Sequence, residues 1–467
     1  MPKTKIVCTI GPASESREVI EQLIKSGMNV ARLNFSHGSY AEHQKKISVI
    51  RDVSEKLGTP VGILQDLCGP KIRVGEIPEP GIHIHPGDAF ILTGKPIVGC
   101  QERVSVSYVD LPKDVNPGDR ILLADGTMEL MVEETSEIDI HCKVINGGIL
   151  TSHKGVNLPT GTIKADSLTE KDRADLMFGL KNDVDFVALS FVKSAADIQN
   201  VKELIQKENK TTPVIAKIEK HEALDDIDEI IEISDGIMVA RGDLGVEIQI
   251  ENVPGIQKML VNKATGRGKP VIIATQMLRS MVHAPWPTRA EATDVANAVL
   301  EGADAVMLSE ESAVGEYPVE AVRFMRRIIV SAEKNFPHEE YLKRLPCKQV
   351  PDSVAYASCV LADHLDAKAI VPTTRSGFTA TQVARFRPRA KIIALSPDIA
   401  TVRRLTLYWG CITSVVPDTR DMDEMIEKSA SAALKTGRVG EGDLIIITAG
   451  FPVLASGTTN MMKVKQL

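Results

Sequence analysis

Two carboxylates and several cations stand at the ends of otherwise apolar runs in this sequence, and their types limit the chemistry they could do. Glu219 follows TPVIAKI, and Asp243 follows GIMVARG. Two hard carboxylate oxygens, completed by water and substrate oxygens, suit a six-coordinate Mg²⁺. Because Lys217 stands two residues before Glu219, a pair of salt bridges at a rim is the alternative. Gly242 favours the metal, since a glycine beside Asp243 lets backbone approach a ligand closely. Arg32, Lys217 and Arg73 add three cations. With a metal, such cations stabilise the charge spread over a phosphoryl group in transfer; singly, each is more often a solvated surface residue. Thr275, in ATQML, either bonds nearby backbone or holds a water and passes a proton opposite the metal. His37 opens a loop, where capping or packing is as good a role as catalysis. His83 and His85 share one face of a strand and read as solvated.

These residues can act together only if the fold gathers them. Eight short apolar runs, at 5–11, 28–36, 61–68, 186–192, 212–219, 236–243, 269–276 and 303–311, are mostly separated by helix-like stretches such as REVIEQLIKSG and ADIQNVKELIQKEN. Apolar strands alternating with amphipathic helices indicate a parallel sheet covered by helices. Eight such units predict a (β/α)₈ barrel, whose C-terminal face carries the chemistry of that fold. Arg32, Asn34 and Ser36 close the second run, Asp66 the third, Lys217 and Glu219 the fifth, Asp243 the sixth and Thr275 the seventh. Barrel closure would make them neighbours.

The stretch 70–167 differs. Alternating segments (GIHIHPGDAFILTG, RILLADGTMELMVEE, IDIHCKVINGG) with P-G, N-P-G and N-G-G turns predict a small antiparallel β domain inserted in the barrel. Hinges are expected near Gly69-Pro70 and near Thr162–Asp166, and a lid over the barrel mouth is its use. The barrel is then 1–69 plus 168–340. From 341 to 467, helix and strand patterns alternate again and predict a doubly wound α/β domain.

Bulk properties exclude other classes. The 467 residues are 43% hydrophobic and 25% charged with a net charge of -7, so no basic surplus exists to bind nucleic acid or membrane surfaces. Aromatics at 4% are too scarce for base-stacking platforms. No apolar run is long enough for a membrane span, and MPKTKIVCTIGP reads as a first buried strand rather than a leader. Seven scattered cysteines without a C-x-x-C pair fit a reducing cytosol. No P-loop, strand-anchored G-x-G-x-x-G, H-E-x-x-H or G-x-S-x-G occurs, so nucleotide chemistry needs another arrangement.

In combination and order, TKIVCTIGPAS, MNVARLNFSHG, ILQDLCGPKIR, KGVNLP, LTEKD, DFVALSFV, AKIEK, DGIMVARGDLGVE, VIIATQML, PTRAEATDVANAV and GADAVMLSEE resemble pyruvate kinases over essentially the whole chain. The resemblance implies phosphoryl transfer from phosphoenolpyruvate to ADP, giving pyruvate and ATP. It implies that Arg32 and Lys217 contact the transferring group, and that Glu219 and Asp243 hold Mg²⁺, with Mn²⁺ as an alternative. Gly242 and Thr275 would receive the substrate carboxylate. Asn34, His37, Arg73 and Lys154 would face the nucleotide phosphates, which bring a second Mg²⁺. A group near Thr275, acting through water, would protonate the enolate of pyruvate.

The chain reads DLCGPKIR where family members often read DTKGPEIR. The family's monovalent-cation site falls on Asn34, Ser36, Asp66 and Leu67, and Leu67 offers only its carbonyl. Lys71, in place of an acid, is expected to supply the charge K⁺ would bring, so K⁺ is not required; a solvated hinge lysine is the bland alternative. Thr374, Arg375, Ser376, Gly377 and Thr379 lie between a strand and a helix, either as a phosphate site or as an ordinary capped start. The resemblance favours a sugar-phosphate or nucleotide-monophosphate effector. The loop AGFPVLASGTTN lacks the basic, Trp-containing pattern of members regulated by fructose 1,6-bisphosphate. It also implies a homotetramer in the cytoplasm. The rival readings are a Mg²⁺-enolate aldolase or lyase barrel, which needs neither a lid nor Arg73 and Lys154, and a non-enzymatic phosphometabolite sensor.

Overall fold

Each of the eight apolar runs contains a strand, and all eight lie parallel in one closed barrel: Lys5–Thr9, Val30–Asn34, Gly62–Asp66, Phe186–Leu189, Val214–Ile218, Gly236–Ala240, Val271–Ala274 and Ala305–Leu308. The computed structural model describes residues 2–159, 161, 166–343, 349–419, 421–451 and 458–467. Neighbouring strands pair in chain order, and the ring closes where Lys5–Cys8 pair with Ala305–Leu308.

Side chains alternate along a strand, and that alternation builds both core and site. The inward set packs Val7, Val30, Leu64, Phe186, Ala188, Ile215, Met238, Ile272, Ala305 and Met307 into one buried cluster. Two residues further along, the same face presents Thr9, Arg32, Asp66, Ser190 and Lys217. The barrel is thus apolar below and charged at its C-terminal mouth. The outward set, with Ile6, Leu33, Ile63, Val187, Ala216 and Val239, packs against the covering helices.

Two motifs prove to be helix starts. Thr169 and Asp172 of LTEKD, and Thr288 and Glu291 of PTRAE, form reciprocal capping boxes. Asp172 has a second task, because its Oδ1 accepts the Gly69 N–H at 3.1 Å where the chain leaves the barrel. Gly69 itself has φ 67°, and a Cβ there would lie 2.8 Å from Phe191 Cδ2. Only glycine suits that exit. Of the second expected hinge, Thr162–Asp166, residues 162–165 lie outside the described residues.

The insert holds a six-stranded sheet, in the order Val156–Asn157, Arg120–Leu123, Met128–Thr135, Asp139–Asn146, Ala89–Thr93 and Arg103–Ser105. Its last pair runs parallel, so the sheet is mixed where alternation and turns had indicated antiparallel pairing throughout. Alternation reports which face is buried and not the direction of the neighbour.

The C-terminal region forms a sheet ordered Cys411–Val415, Lys391–Ser396, Ala369–Pro372, Leu444–Ala449 and Met461–Gln466, with the last strand antiparallel. Leu407 from this region reaches the floor of the barrel cluster. Arg387, 1% exposed, pairs with Asp304 at 2.7 Å and donates to the Gly302 carbonyl, which ties the sheet to the barrel base. Among the described residues six cysteines are free, four of them buried; Cys347 lies outside them. No described helix is long and apolar enough to cross a membrane.

Candidate active site

The mouth of the barrel is organised around Lys217, on the inward face of the fifth strand. Its Nζ lies 2.9 Å from Glu219 Oε1, 3.3 Å from Asp66 Oδ1 and 2.7 Å from Ser190 Oγ. Arg32 reaches the other Asp66 oxygen at 2.6 Å and donates to Thr9 Oγ1. Two cations and two carboxylates therefore share a nearly dry site, with the Asp66 and Glu219 side chains 1% and 2% exposed. Burial alone would pull the Lys217 ammonium down, but Asp66 and Glu219 more than reverse this, and the group is held above its usual range. Burial likewise pushes Asp66 up, yet Lys217 and Arg32 bring it below the ordinary carboxylate range.

Glu219 behaves differently. Burial and the nearby Asp243 carboxylate push its carboxyl up, against the pull of Lys217. A buried carboxylate destabilised by a second one is relieved by a cation between them, which is how these donors fit Mg²⁺. The salt-bridge alternative describes the pair in this state, with Glu219 on Lys217 and Asp243 on Lys71.

Asp243 does not end the sixth strand as its run suggested. The strand stops at Ala240, and Asp243 lies in the short helix Arg241–Glu247. Arg241 anchors the start of this helix on the Thr275 carbonyl at 2.9 Å and on Asp294 at 2.6 Å. Thr275 has φ 69°, an outlier for a β-branched residue. Its hydroxyl donates to the Ala274 carbonyl at 2.6 Å and accepts from the Gly242 N–H at 2.8 Å. The backbone-bonding alternative describes this state, and it places the Thr275 hydroxyl beside the Gly242 N–H.

Lys71 is not solvated: its Nζ lies 3.1 Å from Asp243 Oδ1, with 25% of the side chain exposed. Asp66 takes its cations from Arg32 and Lys217 instead. Leu67 is buried, and its carbonyl accepts from Ser190 Oγ at 2.7 Å; Asn34 Oδ1 accepts the Ser36 N–H at 3.1 Å. Arg73 and Lys154 lie on adjacent lid segments, joined by an Arg73 bond to the His153 carbonyl and a Val74 bond to the Lys154 carbonyl. His37 is exposed on the barrel loop, and its carbonyl accepts from His43. Among the described residues no hydrogen bond or ion pair joins these lid and barrel pairs, so the structure leaves them apart.

In the C-terminal region, Thr374 Oγ1 accepts the Gly377 N–H at 3.0 Å, and Gly377 at φ 90° precedes the helix Phe378–Ala384. Arg375 and Ser376 are exposed and line a small open cleft with Thr374 and Asp418, and Arg375 lies 3.5 Å from Asp418. Thr379 is buried and shares its hydroxyl with Thr459. Half of the loop AGFPVLASGTTN, residues 452–457, lies outside the described residues.

Sequence reading missed Thr9, Ser190, Arg241 and the Phe191 N–H, which donates to Glu219 Oε2 at 2.8 Å. Thr9 and Ser190 carried a usable signal, each standing two residues after an inward apolar residue, Val7 and Ala188. Arg241 and the Phe191 N–H carried none, since their roles depend on how loops fold back.

Residues 1–322 match the family model for the pyruvate kinase barrel domain, and residues 352–465 that for the pyruvate kinase alpha/beta domain. The chain is 48% identical over 472 positions to a pyruvate kinase of Staphylococcus haemolyticus, covering 99% of this chain and 80% of the relative. It is 44% identical over 470 positions to one of Clostridium acetobutylicum, covering 100% and 99%. A solved pyruvate kinase structure from Cryptosporidium parvum superposes with a TM-score of 0.93 at 37% identity, covering 100% of this chain and 96% of that one.

Proposed function

From the premise that this chain belongs to the pyruvate kinase family, and is a phosphotransferase moving a phosphoryl group from phosphoenolpyruvate to ADP, we propose how its own residues divide that work. The observation that carries the proposal is the convergence of Arg32, Asp66, Ser190, Lys217 and Glu219 at the barrel mouth.

Arg32 and Lys217 face the transferring phosphoryl group, each held in place by Asp66. Because its neighbours hold Lys217 charged, it stabilises negative charge on phosphoryl and enolate oxygens and is a poor proton donor. The proton for the enolate carbon therefore comes from elsewhere, through water near Thr275. Glu219 and Asp243 hold Mg²⁺, for which Mn²⁺ can substitute; when bound, this ion neutralises substrate oxygens. The Gly242 N–H, now bonded to Thr275 Oγ1, is the donor for the substrate carboxylate. Accepting that bond frees the Thr275 hydroxyl to orient water. Arg73 and Lys154 of the lid, with Asn34 and His37 of the barrel, face the nucleotide phosphates, which bring a second Mg²⁺, when the lid closes.

K⁺ is not required in this proposal. Two oxygens that would ligate it already accept hydrogen bonds, and Lys71 brings a fixed positive charge from the Asp243 side. Pyruvate formation from phosphoenolpyruvate, ADP and Mg²⁺ is expected to proceed equally with and without K⁺ at matched ionic strength. Lys71→Glu should lose about 10²-fold or more without K⁺, the lower end of what one lost electrostatic donor costs, and regain part of it with K⁺. Wild-type turnover that collapses without K⁺ would discard the role of Lys71 and keep the kinase. Pyruvate released without ADP would favour the lyase reading instead.

The cleft beside Arg375 and Ser376 is the proposed effector site, for a sugar phosphate or nucleotide monophosphate at the Phe378–Ala384 helix start. Glucose 6-phosphate or AMP should bind by calorimetry, and Ser376→Asp should weaken binding by about ten-fold through like-charge repulsion. Absence of binding by either would remove the site. A cytoplasmic homotetramer is the proposed assembly, to be checked by light scattering.

A further inference from the structure

The helix Arg241–Glu247 is held from two sides. The barrel fixes its start through Arg241 and the Gly242 N–H. The inserted sheet meets the rest of it, with Lys71 on Asp243, Gly126 beside Val246, and Asn157 on Glu247. The last contact is the most buried. The Glu247 side chain is 0% exposed, and Asn157, on a lid strand paired with Arg120–Leu123, is 7% exposed.

The two oxygens of Glu247 are divided between the domains. Oε2 accepts from Lys220 at 2.8 Å on the barrel side, with His221 Nδ1 at 3.3 Å, while Oε1 accepts from Asn157 Nδ2 at 3.0 Å on the lid side. Burial alone would push this carboxyl up; His221, Lys220 and Asn157 hold it below its usual range, so it is an anion. His221, Glu222 and Glu247 come close enough for a metal, but Lys220 already occupies the oxygen such an ion would need. The cluster is an internal ion network whose one lid-side bond, among the described residues, is to Asn157. A shift that moves Asn157 off Glu247 while the helix stays covered would leave Oε1 buried and unpaired, which disfavours lid positions that break this bond.

We propose that Glu247 and Asn157 form a latch that sets the lid's register against the helix bearing Asp243, making both positioning residues for the reaction. The latch rests on the reading of Arg73 and Lys154 as lid contacts to the nucleotide. It acts as the fixed point of lid closure, so that the swing which brings those side chains over the barrel mouth ends in register, where errors near 1 Å are costly.

Asn157→Asp sets two carboxylates against each other. It should raise KM for ADP about ten-fold or more and lower kcat, while the dissociation constant for phosphoenolpyruvate with Mg²⁺, read by calorimetry, changes less than about two-fold. The double variant Asn157→Asp with Glu247→Gln should return KM to within about three-fold of wild type. Its amide donates to the introduced carboxylate and still accepts from Lys220, so the bond is rebuilt with donor and acceptor exchanged. Asn157→Ala, which adds no charge, should show the same split more weakly and serves if the first variant does not fold. Unchanged KM and kcat in Asn157→Ala or Asn157→Asp would overturn the latch, as would a folded double variant that recovers nothing. Loss of phosphoenolpyruvate affinity in step with kcat would also overturn it, by showing general damage to the barrel. Wild-type protein with no ADP-dependent pyruvate formation would instead remove the underlying reading.

Discussion

Lys217→Met is expected to lower kcat by about 10³-fold or more, the upper end of what a single preorganised donor contributes. The side chain keeps its apolar stem but loses the charge that meets Glu219 at 2.9 Å, Asp66 at 3.3 Å and Ser190 at 2.7 Å. Among the described residues no other cation bridges both carboxylates, since Arg32 reaches only Asp66. The substitution also leaves buried Glu219 without its cation, while Asp66 keeps Arg32, which costs roughly 3–5 kcal/mol of stability. Thermal unfolding and Mn²⁺ binding must therefore be followed beside turnover. A folded, metal-binding variant without turnover is the expected result. Retention of more than about a tenth of wild-type kcat would show that the transferring group does not rely on Lys217, since loss of one such donor costs at least 10²-fold.

Glu219→Gln is expected to weaken divalent binding by about 100-fold or more, beyond the 10–100-fold typical of groups that merely orient a ligand. Glutamine is nearly isosteric, and its carbonyl can still accept the Phe191 N–H that now reaches Glu219 Oε2 at 2.8 Å. What disappears is the anion, and with it one of the two charges that make the site attractive to Mg²⁺. Titration of Mn²⁺ by electron paramagnetic resonance reads this without turnover. Asp243→Asn should act in the same direction and also release Lys71, which now sits 3.1 Å away. Unaltered Mn²⁺ affinity in both variants would place the metal elsewhere.

The barrel was legible because its physics is local. Short apolar runs of barrel-strand length, separated by amphipathic helices, leave few ways to bury both faces of a parallel sheet. Polar residues at run ends then had to meet at one rim, and Arg32, Asp66, Lys217 and Glu219 do meet. The antiparallel reading of the insert went too far for the same kind of reason. Alternation in Ala89–Thr93 and Arg103–Ser105 records burial, and their parallel pairing depends on where the connecting chain crosses.

What the sequence determined by itself was the set of strands, the polarity of their ends and the family to which their motifs belong. The first two follow from side-chain periodicity and residue chemistry, which are properties of neighbours along the chain; the third rests on the likeness of its motifs to those of known members. Only the tertiary structure decided who pairs with whom. It took Asp243 off its strand and onto a helix, gave Lys71 to Asp243 rather than to solvent, closed the Leu67 carbonyl with Ser190, and divided Glu247 between barrel and lid. Each of these is a contact between residues far apart in sequence. Its geometry is set by loop paths and by the need of buried charges to find partners, and neither leaves a periodic trace in the chain.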